Sequence, residues 1–220
     1  MVNRTALKPI LIVFLLLLLT LPAASQESRK NKVADPDLDA GVLAPGFVLL
    51  QDGKGQEALK FFKKAVKRQP ESAEAYFGLS WALINLRRYD ESLEASQEAV
   101  RLKPGYGEAH HHLGMAYERL GRGQEAIPAF KEAIRLKPNA HSYEGLGWAY
   151  SKLGRWPEAA AAFGQAVRLN PQEPSLRAAL VGSYLAMGDR DAALKEYEVL
   201  KNSDPKTAQE VAGQFPGLVD

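Results

Sequence analysis

The chain has no cysteine in its 220 residues. That excludes a disulfide framework, a thiolate metal site and a cysteine nucleophile. It also excludes a lipoprotein, whose lipid is carried on a cysteine. Stability must come from packing alone. Equally absent are a GxxxxGK[ST] phosphate loop, a Gly-rich dinucleotide fingerprint and an HExxH zinc motif. The carboxylates are spread along polar helical positions, where Lys and Arg lie four residues away. Glu125 and Glu158, in first turns, answer the helix dipole. Neither an enzyme nor a cofactor is expected. With 28 basic and 26 acidic residues, a basic surface is also lacking. The densest stretch, Lys60 to Arg68, reads as the solvated face of one helix, so nucleic acid is not an expected partner.

Long apolar runs are absent as well, with one exception. Ile10 to Leu21 is apolar except for Thr20, follows Arg4 and Lys8, and leads into Pro22-Ala23-Ala24-Ser25. This is the pattern of a secretory signal peptide over residues 1–25, cleaved after Ser25. The run falls short of the ~20 residues of a spanning helix. An exported protein, periplasmic in a bacterium with two membranes or secreted, is therefore expected, with no membrane insertion after cleavage. The alternative is an inner-membrane anchor that keeps residues 1–25. Cleavage would remove Arg4 and Lys8 and leave 26 basic against 26 acidic residues. Residues 26–41, polar and nearly free of large apolar side chains, read as a flexible linker.

The rest of the chain is periodic. Pro70, Pro104, Pro138, Pro171 and Pro205 are 34, 34, 33 and 34 residues apart. A period of this size marks a supersecondary unit that buries its apolar face only by stacking on its neighbours. Within each period the apolar spacing is helical. Leu113, Gly114 and Tyr117 share one face of a first helix; Ala126, Phe130 and Ala133 share one face of a second. Gly121-Arg122-Gly123 forms the turn between them, and each proline ends the second helix. Pro128 costs its helix about one hydrogen bond, and Pro157 sits at a first helical position that tolerates it. The fold class is all-α.

These residues closely resemble the tetratricopeptide repeat family. One unit reads His110, Leu113, Gly114, Tyr117, Ala126, Phe130, Ala133, Pro138, and the next reads Tyr143, Leu146, Gly147, Tyr150, Ala159, Phe163, Ala166, Pro171. The flanking units are looser, with Ser80, Leu83, Ser92 and Ser96 in one and Arg177, Val181 and Leu200 in the other. The resemblance implies a right-handed superhelical solenoid of antiparallel helix pairs over residues 42–204. Its repeats fall at about 42–70, 71–104, 105–138, 139–171 and 172–205. The first is degenerate: Ala58, Phe62, Ala65 and Pro70 make a good second helix, while Val42 to Asp52, with Pro45 and Gly46, makes a poor first one. Residues 205–220 hold a C-terminal capping helix, about Lys206 to Phe215, and a tail.

The resemblance also places function on the concave surface of first helices. Advancing ~100° per residue from Tyr76 puts Phe77 and Trp81 off the packed stripe. Trp148 occupies the matching place two units on, with His111, Met115 and Glu118 between and Lys152 beyond. The expected site is a groove of Phe77, Trp81, His111, His112, Met115, Glu118, His141, Trp148 and Lys152 that captures a protein or peptide segment, with the tryptophans as anchors. The competing reading packs Trp81 and Trp148 into the core. The family's carboxylate clamp of lysines and asparagines is missing: Phe77, Trp81, His112, His141 and Gly145 stand there. His112 and His141 are expected to face the same part of the groove. His110-His111-His112 point in three directions and cannot ligate one ion, so no metal is expected. A different use of the fold is a structural subunit of an envelope assembly that stacks edge-to-edge, and homo-oligomers are compatible with it.

Overall fold

The computed structural model describes residues 40–218; the segment read as a signal peptide lies outside them. So does the linker, except for Ala40 and Gly41, which open the first helix. Residues from Leu43 onward form one compact unit. Among the described residues there are eleven α-helices and no strand: α1 (Ala40–Gln51), α2 (Gly55–Arg68), α3 (Ala73–Asn85), α4 (Tyr89–Leu102), α5 (Gly107–Arg119), α6 (Gly123–Leu136), α7 (Ala140–Lys152), α8 (Trp156–Leu169), α9 (Pro174–Met187), α10 (Arg190–Ser203) and α11 (Pro205–Gln214). A 3₁₀ turn, Pro216–Leu218, follows.

Short side chains start the helices and left-handed residues end them. Ser72, Asn139, Asp189 and Asp204 each accept a hydrogen bond from a backbone N–H in the first turn of the helix they open. The turn inside each pair needs one left-handed residue, and Gly53, Gly121, Gly154 and Gly188 supply it, with φ between 69° and 77°. At the same register place the second pair carries Arg87, with φ 58°.

In three of the pairs one phenylalanine ring organises the core. Phe62, Phe130 and Phe163 are fully buried on second helices, each facing the first helix of its own pair. A Cβ on Gly114 would lie 2.8 Å from the Phe130 ring, one on Gly145 in the following pair 2.5 Å from it, and one on Gly147 2.7 Å from Phe163. Such distances allow no side chain, so these glycines set how closely the helices approach. The same device corrects the reading of the first unit. Val42 to Asp52 looked too poor in helix formers, yet α1 forms around Pro45. Gly46 is there to receive Phe61 and Phe62, whose rings stand 2.4 and 2.7 Å from where its Cβ would be. Burial of Leu43 and Leu50 against α2 and α3 holds the helix, so tertiary packing overrides the propensity cost of Pro and Gly.

The second pair is built differently. Ser96 stands where the first, third and fourth pairs carry Phe and the last carries Tyr197. Ser80 stands where the third and fourth carry Gly114 and Gly147 and the last carries Val181, and Ser92 where the others carry Ala. All three serines are fully buried. Ser80 Oγ lies 2.9 Å from Ser92 Oγ and 2.6 Å from Ser96 Oγ, and Ser92 Oγ donates to the Ser80 carbonyl at 3.2 Å. A hydroxyl knot thus replaces the ring and satisfies its own polar atoms.

Ion pairs recur with the period on the outer surface. Arg88–Glu91, Arg122–Glu125 and Arg155–Glu158 brace the starts of α4, α6 and α8, and Lys103–Glu74 and Lys137–Glu108 tie the end of a second helix to the start of the first helix in the same pair. These guanidinium and ammonium partners hold the Glu74, Glu91, Glu125 and Glu158 carboxyls below the usual range. α11 departs from the rhythm. It shares Asp204 with α10 as end and start, so no loop separates them, and it packs on both α10 and α9. Val211, Ala208 and Leu218 bury the last apolar face against Val181, Tyr197 and Leu200.

Candidate functional site: the first-helix groove

First helices line the inner side of the stack. α3 touches α5, α5 touches α7, and α9 touches α11, whereas second helices pack mainly on first helices. Two cavities open on this side. The larger, about 770 Å³, lies between α7, α9 and α11 and is walled by Trp148, Trp156, Ala179, Gly182, Val211 and Phe215, with Lys152, Thr207 and Glu210 at its polar edge. The smaller, about 270 Å³, lies between α5 and α7 and is lined by His111, Met115, Glu118, Arg119, His141, Glu144 and Trp148. Trp148 stands between them, 45% exposed, its ring held edge-on over Phe163 with centroids 5.1 Å apart. An apolar ring that stays in water at the junction of two cavities is where a bound segment gains most.

The residues expected in the groove divide into two sets. His111, Met115, Glu118, His141, Trp148 and Lys152 come together around the two cavities. Phe77, His112 and Trp81 do not join them. Phe77 and His112 are buried, 8% and 9% exposed, with ring centroids 4.7 Å apart. Trp81 is half-buried against Phe47, Phe77 and His112. The cause is Ser96. Where the second helix offers no ring, His112 takes the place held by Gly145 one unit on, and Phe77 packs on it. Trp81 therefore belongs to the packed side of the alternatives, and Trp148 to the open one.

The three consecutive histidines point apart. His110 Nε2 is 2.8 Å from the Pro104 carbonyl, His111 Nδ1 is 3.1 Å from Ser142 Oγ, and His112 Nδ1 is buried with no hydrogen-bond partner. His111, rather than His112, shares a cavity with His141. Burial, reinforced by the neighbouring histidine, pushes His112 down to about 3 and His111 to about 4 from 6.5. Both are therefore neutral at pH 7. No group of three or more His, Asp or Glu among the described residues is arranged to hold a metal ion.

Charge in the groove is unevenly neutralised. Glu118, with a side chain 12% exposed, is ion-paired to Lys152 of the next pair and lies 3.5 Å from Arg119. Glu144 has no lysine or arginine partner among the described residues; its ionisable neighbour is His141 at 3.9 Å. Trp148 Nε1 donates to Glu144 Oε1 at 3.5 Å and keeps carboxylate and indole side by side. Sequence reasoning missed Glu144, Trp156 and the wall from α11. Glu144 lies four residues before Trp148, a spacing that puts both on one helical face. The α11 wall had no such signal, because Lys206 to Phe215 reads simply as a cap.

The tetratricopeptide repeat family model matches residues 48–107, 82–141 and 111–174, and a second model of the same description matches 150–213. No curated protein matches the chain. Among solved structures it is similar to a thermophilic TPR protein of Thermus thermophilus, with 28% identity, a TM-score of 0.62, and coverage of 82% of this chain and 98% of that one. It is also similar to YrrB, described as a TPR protein with an unusual peptide-binding site, at 20% identity and TM-score 0.66, covering 87% and 97% of the two chains. MamA from Desulfovibrio magneticus RS-1 follows at 21% identity and TM-score 0.67, covering 74% and 93%. With the repeat models spanning residues 48–213 and the helix pairs in register, the chain belongs to the tetratricopeptide repeat family.

Proposed function

We propose that the protein is a non-catalytic interaction module that captures a segment of a partner protein in the groove along α5, α7, α9 and α11. The observation that carries this reading is Trp148: a large ring 45% exposed between two cavities, on the inner face of a solenoid. Aromatic side chains that become desolvated in such a place dominate binding energy. The family is one of interaction scaffolds, and the peptide-binding description of YrrB agrees with it. The apolar run at Ile10 to Leu21 and its small-residue exit support export to the bacterial envelope as the place of action. Cross-linked capture from the envelope fraction tests the reading. Wild type should retain a partner that Trp148→Ala loses. Equal retention by the variant would move the site to the outer face or the ends, as the envelope-assembly alternative requires.

A further inference from the structure

We infer that the segment this groove takes is basic: an Arg or Lys side chain enters the α5–α7 cavity while an apolar neighbour enters the larger one. The inference rests on the capture reading above. Its observations are separate, and the first is the state of the carboxylates. Outside the groove Glu74, Glu91, Glu98, Glu108, Glu125, Glu132 and Glu158 each meet a lysine or arginine within 3.1 Å. Those that meet none, such as Glu57, Glu71, Glu94 and Glu173, are exposed to water, whereas Glu144 is half-buried. In the groove Glu144 and Glu210 meet none among the described residues. The lining holds three carboxylates (Glu118, Glu144, Glu210) against two cations (Arg119, Lys152), and Glu118 already engages both cations.

The second observation is the company Glu144 keeps. Its carboxylate lies against the Trp148 indole, in a cavity whose wall also holds His111, Met115 and the Phe130 ring. A guanidinium or ammonium entering there meets a negative oxygen beside the indole, and the apolar stem that carries it can lie along the ring. A carboxylate entering there would meet Glu144 with no free cation to answer it, so an acidic segment is disfavoured. The neighbouring cavity has the complementary chemistry. Trp156, Ala179, Val211 and Phe215 present an apolar wall suited to an aliphatic or aromatic side chain. Because Trp148 lines both cavities, the basic and apolar side chains must sit close together along the captured segment.

The test uses random twelve-residue peptides displayed on phage and selected on the full chain, then synthesised in three versions with each Arg or Lys kept, changed to Gln, or changed to Glu. Binding is read by fluorescence polarisation at low and high salt. Basic peptides should bind about tenfold tighter than their Gln versions and lose that advantage at high salt. Glu144→Gln should erase the Arg-over-Gln preference and keep binding of the Gln peptide. Trp148→Ala should weaken both. Peptides that depend on Trp148 but show no preference for the basic version, or prefer the acidic one, would overturn the basic-segment inference and leave groove capture standing. A failure to select any peptide, or binding indifferent to Trp148→Ala, would overturn both.

Discussion

In the pairs spanning residues 105–138 and 139–171, a phenylalanine from the second helix fills the space beside glycines on first helices. In the pair spanning 71–104, three serines occupy the equivalent places and bond to one another, and His112 and Phe77 turn inward to complete the packing. The same helix–turn–helix is thus stabilised in two ways: by one large apolar ring, or by a small polar knot with rings drawn from the inner face. The consequence reaches the surface. Where the ring comes from the second helix, the first helix is free to show Trp148 to the groove; where it does not, the first helix spends Phe77 and Trp81 on its own core. What a first helix shows to the groove follows from what its partner helix contributes to packing.

This comparison can be broken most forcefully at the rings. Phe163→Ala should cost about 3–5 kcal/mol, as for other buried aromatic deletions, measured by urea unfolding; a loss below about 1 kcal/mol would contradict the ring's central place. Ser80→Ala removes the hydroxyl that both other serines approach and should cost about 1–3 kcal/mol. The triple Ser80→Ala/Ser92→Ala/Ser96→Ala should lose less than the three single losses added together, because no buried hydroxyl is then left unpaired. Additive losses would show that the serines do not act as one network.

Acid sharpens the comparison further. His111 and His112 are held near 4 and 3 in the folded protein by burial, against 6.5 for an exposed imidazole. On acidification the unfolded chain takes up these protons first. Stability is therefore complete above about pH 6.5 and is lost as pH falls toward 4 and then 3, with a slope that approaches about two protons. His112→Leu should remove about one of them, read from unfolding free energies at successive pH values; an unchanged slope would mean that His112 is not buried neutral. The smallest effect is expected at the turn. Arg87 holds the left-handed place that glycine holds in the other pairs, so Arg87→Gly should stabilise by about 1 kcal/mol, while Gly121→Arg should destabilise by a similar amount.

The fold was legible from the prolines and the helical spacing of small and aromatic residues, because one register repeated along the chain leaves little topological choice. α1 was undervalued for a physical reason: propensity counted against Pro45 and Gly46, while the close approach of Phe61 and Phe62 to Gly46 decided the matter. In the site, Trp148, His111, Met115, Glu118, His141 and Lys152, expected on the groove from their register in the repeat, come together around the two cavities. Phe77, Trp81 and His112 do not, since register describes one helix and the hollow left by Ser96 lies on another. The α11 wall and Trp156 require the tertiary path of the chain after Asp204, which no spacing encodes.

The central claim is that the two ends of the inner face differ: Trp148 is open to a partner and Trp81 is structural. The chain has three tryptophans, so labelling with 5-fluorotryptophan gives three ¹⁹F resonances, assigned by single substitutions to Trp81, Trp148 and Trp156. Adding a selected peptide should move the Trp148 and Trp156 signals and leave Trp81 in place. A shift of Trp81 with Trp148 unmoved would contradict the account and return the groove to the N-terminal pairs.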